Sequence, residues 1–129
     1  MKSYKQILKL RDGDLNSFKK LKISILSDQS TQFLSKITFK LGIINSLNLK
    51  IWEAPIDQID NQVFNPKSEF NINHFDLNIV FESTHSLLKK YNSNRNSESF
   101  CEEEFKRFKN LIEKLLLSNK TKIILFNFY

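Results

Sequence analysis

Leu21-Lys22-Ile23-Ser24-Ile25-Leu26-Ser27-Asp28-Gln29-Ser30-Thr31 sets a short aliphatic run directly against a cluster of capping residues. Residues 21–26 are rich in β-branched and aliphatic side chains and read as a strand. The Asp, Ser and Thr that follow carry side-chain oxygens able to accept from the unpaired amides of a first helical turn. The spacing predicts a helix over residues 30–47, with Phe33, Leu34, Ile37, Leu41 and Ile44 on its buried face.

The rest of the chain repeats this alternation. Residues 49–53 give a second strand, stopped by Ala54-Pro55. Residues 56–72 are polar with isolated apolar positions and predict a short helix and a loop. Residues 75–81 form a third strand, with Glu82-Ser83-Thr84-His85 at its exit and a helical stretch ending near Tyr91. The polar segment NSNRNSES, residues 92–99, predicts a loop. In residues 99–118, Cys101, Phe105, Phe108, Ile112 and Leu115 recur at helical spacing, and Glu102, Glu103 and Glu104 complement the helix dipole in the first turn. On that stripe Cys101 should be a buried, inert thiol. Residues 122–126 are a fourth, fully apolar strand. Ahead of all this, residues 2–10 predict a short helix, broken by Arg11-Asp12-Gly13-Asp14.

Strands alternating with helices imply right-handed crossovers and a parallel sheet covered on both faces. Buried parallel strands read as continuous apolar runs, as the fourth does. The expected fold is α/β, a three-layer α/β/α flavodoxin-like parallel sheet of about four strands in the order 2-1-3-4. Residues 1–20 would form an N-terminal helix and turn, and residues 21–129 the sheet domain. So apolar a last strand wants a neighbour or a covering helix. The chain therefore reads as an N-terminal piece of a longer protein, truncated at its C-terminus, or as an unusually small sheet.

Composition narrows the functional classes. One cysteine excludes an internal disulfide. Two histidines and that cysteine do not suffice for a structural zinc site. Two glycines, Gly13 and Gly42, cannot build a phosphate-cradling loop. Lysines interrupt the N-terminus too often for a signal peptide, and no apolar run is long enough to span a membrane, so a soluble, cytoplasmic protein is expected. The net charge of +6 is unevenly distributed: +7 over residues 1–50, −6 over 51–104 and +5 over 105–129. The basic residues are nearly all lysine, with arginine only at positions 11, 95 and 107. Arginine is the usual residue for bidentate phosphate and base contacts, so this excess favours solvated faces over a nucleic-acid patch.

Four segments occur in a telling order: KISILSDQST (22–31), KIWEAPIDQ (50–58), VFNPKSEF (63–70) and FDLNIVFESTHSL (75–87). Together they resemble the N-terminal domain of FkbH-like proteins. Ile56 stands where that family often has tyrosine, and Phe70 where it often has leucine. The resemblance implies a domain similar to the SGNH-hydrolase, flavodoxin-like fold, followed by a haloacid-dehalogenase-like (HAD) phosphatase-type domain beyond residue 129. It also implies that the second domain uses Mg²⁺ and an Asp-x-Asp motif to dephosphorylate a three-carbon unit and pass a glyceryl group to an acyl-carrier protein. The one Asp-x-Asp here, Asp12-Gly13-Asp14, follows no apolar strand and reads as a turn.

Ligands of open parallel sheets bind at the carboxyl ends of the strands. Three exits matter here: residues 27–32, residues 82–85 and Asn127. Relative to SGNH hydrolases, the first exit keeps Asp28 but has Gln29 where the nucleophilic serine should stand, and no late Asp-x-x-His supplies a base. A serine without its base is a weak nucleophile, so this segment alone is not expected to be catalytic. The candidate catalytic residues are Ser30, Thr31 and His85. Candidate binding residues are Asp28, Gln32, Glu53, Asp57, Gln58, Ser83, Thr84 and Asn127, with no metal or other cofactor in this segment. Ser30, Thr31, Ser83 and Thr84 could equally be helix caps. His74 lies at the opposite end of the sheet and reads as surface.

Three functions follow. The first is an accessory domain that positions substrate or carrier protein beside the HAD domain of the same chain. The second is a stand-alone esterase using Ser30 or Thr31 with His85. The third, prompted by a pI near 9.4, is a basic nucleic-acid-binding module.

Overall fold

The computed structural model describes residues 15–94, 97–118 and 121–126. The expected helix at residues 2–10, the Asp12-Gly13-Asp14 turn and Asn127 lie outside these. A 3-10 turn, Leu15–Ser17, leads into strand β1, Lys19–Ser27. Then come helix α1 (Gln32–Ile44), β2 (Leu47–Glu53), α2 (Ile59–Phe64), α3 (Glu69–Ile72), β3 (Leu77–Phe81), α4 (Thr84–Ser93), α5 (Ser97–Ser118) and β4 (Lys122–Phe126). Every strand pairing is parallel, and the order is β2-β1-β3-β4, as the alternation predicted.

Two apolar clusters lie on the two faces of this sheet. On one face, Leu26 and Val80 meet Ile59 and Val63 of α2, Phe70 of α3, and Leu111 and Leu115 of α5. Trp52 completes this side as part of the core, 5.5 Å from Phe75 and 6.2 Å from Phe70 between ring centres. On the other face, Ile23, Ile25, Leu49 and Ile79 are covered by Phe39 of α1. Alternation along each strand explains the split, since neighbouring side chains point to opposite faces. Within the first face a polar pair spans the middle of the sheet. The Ser24 hydroxyl donates to Asn78 Oδ1 at 2.7 Å, and Asn78 Nδ2 donates to Thr121 Oγ1 at 3.1 Å. Both Ser24 and Asn78 are fully buried, so a register slip would strand their polar atoms without partners.

Two helices are rolled relative to their apolar stripes. In α1 the expected buried face is largely exposed: Phe33 is 63% accessible, and Leu34, Leu41 and Ile44 are also exposed. The helix instead meets the sheet through Phe39 and Gly42, whose missing side chain admits Leu49. In α5 the buried residues are Phe100, Leu111 and Leu115, while Phe105 and Cys101 are exposed. The expectation of a buried Cys101 is therefore corrected. The roll brings Arg107 to the inner side, where it meets the acidic exits of the sheet. The expected loop at 92–99 is also shorter, because α4 runs to Ser93 and α5 begins at Ser97.

Outer strand β4 is open to solvent, with Ile124, Leu125 and Phe126 all exposed. Among the described residues, no helix is long and apolar enough to cross a membrane.

A Cβ added at Gly42 would sit 2.6 Å from Leu49 Cγ and 2.7 Å from Cδ1, which forces a buried side chain to move. Gly42→Ala should therefore lower stability by about 1 kcal/mol in urea unfolding, overpacking outweighing alanine's helix preference. A more stable variant would contradict this packing.

Candidate functional site

The carboxyl ends of β1 and β3 are adjacent because Leu26 pairs with Val80 and Ser27 with Phe81. Asp28, one residue past β1, and Ser83, two residues past β3, are thereby joined. Asp28 is 9% exposed, and its carboxylate accepts from the Ser83 amide at 2.9 and 3.1 Å and from the Ser83 hydroxyl at 2.9 Å. That hydroxyl also accepts from the Ser86 amide at 3.2 Å, capping α4, and from Gln29 Nε2 at 3.3 Å. A serine hydroxyl has one donor and two lone pairs, and here all three are engaged. Ser83, not Thr84, is the cap; Thr84 is the first residue of α4.

Beside this clasp, the Thr31 hydroxyl donates to Glu53 Oε2 in a short hydrogen bond between the β1 and β2 exits. Thr31, Glu53, Gln29, Ser30 and Gln32 line a shallow groove of about 150 Å³. His85 opens onto a different groove, bounded by Leu88, Lys89 and Asn92. The structure thus brings Thr31 to Glu53 and Ser83 to Asp28, while His85 borders a groove that neither Ser30 nor Thr31 lines. Asp57 and Gln58 border a third groove, of about 290 Å³, shared with Asp28, Asp60 and Glu82. Asp57 takes a left-handed backbone, φ 62°, which aspartate tolerates in tight turns.

An ion-pair cluster that engages Glu82 and Asp60 of this groove was not foreseen. Glu82, 8% exposed at the β3 exit, accepts from Arg107 Nη2 at 2.6 and 2.8 Å. Arg107 Nη1 reaches both Asp60 oxygens at 2.9 and 3.1 Å, and its Nε reaches Glu104 at 2.8 Å. Lys90 adds longer contacts to Glu82 at 4.0 Å and Glu104 at 3.8 Å. Burial works against the guanidinium charge. Hydrogen bonds to Glu82 and Glu104 and the charges of Glu82 and Asp60 outweigh it, so Arg107 holds its proton more firmly than a free arginine. One sequence signal could have exposed this residue: Arg107 lies seven residues after Phe100 and four before Leu111, on the stripe that is in fact buried.

Among the described residues, the carboxylates Asp28, Asp60, Glu82 and Glu104 outnumber the cations Arg107 and Lys90 here, so this end of the sheet is poorly suited to an anion. Among the described residues, no group of three or more His, Cys, Asp or Glu side chains is arranged to hold a metal ion.

The family described as FkbH, N-terminal domain, matches residues 22–129. The chain belongs to this family. Its fold is similar to a crystal structure of the N-terminal part of the protein BF1531 from Bacteroides fragilis, containing a phosphatase domain complexed with Mg. The two share 27% identity at a TM-score of 0.85, over 99% of this chain and 34% of that one. The chain thus spans about a third of the length of that neighbour. No curated protein matches it.

Arg107→Met should cost about 3 kcal/mol in urea unfolding, because it leaves Glu82 buried without its cation. The raised pKa of Arg107 gives stability that is whole below the ordinary guanidinium range and lost only above it. Arg107 itself should therefore add no pH dependence between roughly pH 5 and 9. Ser83→Ala should cost about 1–2 kcal/mol, through the lost α4 cap and the lost Asp28 contact. A neutral Ser83→Ala would contradict the structural role of the clasp.

Proposed function

We propose that this N-terminal FkbH-family domain is an accessory module. It positions a substrate or an acyl-carrier protein beside a HAD-type, Mg²⁺-dependent phosphatase domain of the same polypeptide, in the cytoplasm. In this reading, dephosphorylation and glyceryl transfer belong to that second domain, and the present domain is SGNH-like in fold without its own hydrolytic centre. The observation that carries the reading is the fold likeness to one third of a chain that contains a phosphatase domain complexed with Mg.

Two features of this chain support it. The polar residues at the strand exits are engaged with one another: Ser83 by Asp28, Thr31 by Glu53 and Glu82 by Arg107. In addition, β4 exposes Ile124, Leu125 and Phe126, a surface that suits coverage by further chain. The domain would then continue past residue 129, with the phosphatase domain beyond it.

The test compares residues 1–129 with the full-length protein. The full-length protein should hydrolyse a simple phosphate ester with added Mg²⁺ and lose that activity to a chelator. Residues 1–129 should turn over neither phosphate esters nor carboxyl esters. Ester hydrolysis by residues 1–129 that disappears in Ser30→Ala, Thr31→Ala or His85→Ala would replace this reading with a stand-alone hydrolase.

A further inference from the structure

A cavity lies at the opposite end of the sheet, at the amino-terminal ends of β1 and β2. It measures about 530 Å³ and is bordered by Lys20, Lys22, Lys50, His74, Phe75 and Asp76. A second groove of about 340 Å³ continues from it, sharing Lys22, Lys50 and Phe75 and adding Trp52 and Glu69. Small-molecule sites typically occupy roughly 300–1,000 Å³.

Lys22 and Lys50 are direct neighbours across the parallel pairing of β1 and β2, and Lys20 is two residues along β1 on the same face. All three are exposed, and none has a side-chain hydrogen bond or ion pair with another described residue. Like charges set directly across a strand pair destabilise the sheet unless something neutralises them. Among the described residues, the one carboxylate bordering the larger groove, Asp76, is turned to the backbone, where its Oδ2 accepts from the Lys22 amide at 2.7 Å. Glu69 borders only the second groove, so the concentrated positive charge lies toward Lys20. Trp52 and Phe75 give the second groove an apolar wall.

We propose that this groove binds a phosphate-bearing small molecule. Lys20, Lys22 and Lys50 hold the phosphate, and the apolar part of the ligand lies along Trp52 and Phe75. A lysine ammonium is a point-charge phosphate binder that needs no glycine loop, which fits a chain with two glycines. The acidic carboxyl end could not do this work. The inference is independent of the accessory reading, because it assigns a ligand to the other end of the sheet.

Titration of the protein with inorganic pyrophosphate, followed by residue-resolved amide NMR without divalent cations, tests it. Saturable shifts in the low-millimolar range or tighter, confined to residues 20–22, 50–52 and 74–76, are expected. Lys22→Gln with Lys50→Gln should weaken binding about tenfold or more and flatten its salt dependence. Both lysines are exposed, so the double variant should keep its remaining amide positions, which verifies its fold. Absence of saturation, shifts spread over unrelated lysines, or unchanged affinity in the double variant would overturn the proposal. Tighter binding of a single-stranded RNA oligonucleotide through the same lysines would overturn it as well, by making the groove a nucleic-acid surface.

Discussion

Arg107 sets its three guanidinium nitrogens against three carboxylates from three parts of the chain: Asp60 in α2, Glu82 at the exit of β3 and Glu104 in its own helix. Buried ion pairs give little net stability against an apolar alternative, but an isolated buried charge is costly. The pairs therefore act as a constraint. With Glu82 fixed at the end of a central strand, Arg107 must face inward, and that fixes the roll of α5. The roll in turn decides that Phe100, Leu111 and Leu115 fill the core while Cys101 and Phe105 face solvent.

The strands and their order were legible in the sequence for a simple reason. Central parallel strands are buried on both faces, so Ile23, Ile25, Leu26, Ile79 and Val80 appear as apolar runs bounded by polar residues. Right-handed crossovers then leave few topologies. Helix orientation was less legible. Helix α1 carries more apolar surface than one contact with the sheet can cover, and the actual contact runs through Phe39 and Gly42. For α5, a charged residue owns part of the inner side, and an apolar-only periodicity passes over it. Asp28, Glu53, Thr31 and Ser83 were recognisable as polar residues at strand exits, but their mutual bonding depends on the register of β1 with β2 and β3, which no local pattern encodes.

The charge blocks of the chain acquire a spatial meaning. The acidic middle of the sequence, −6 over residues 51–104, supplies Asp60, Glu82 and Glu104 to the carboxyl end of the sheet. The basic first block, +7 over residues 1–50, supplies Lys20, Lys22 and Lys50 to the opposite end. Membership of the FkbH N-terminal family gives this polarity a setting. Among the described residues, one end of the domain is held by internal pairs and the other exposes lysines without a side-chain partner.

A double-mutant cycle between Arg107→Met and Glu82→Leu, read by urea unfolding, tests most directly whether the carboxyl end is a structural clamp. The account predicts a coupling of about 2 kcal/mol, with the double variant closer to wild type than the sum of the single losses implies. Losses that add to within about 0.3 kcal/mol would show that the two residues act independently and would contradict it.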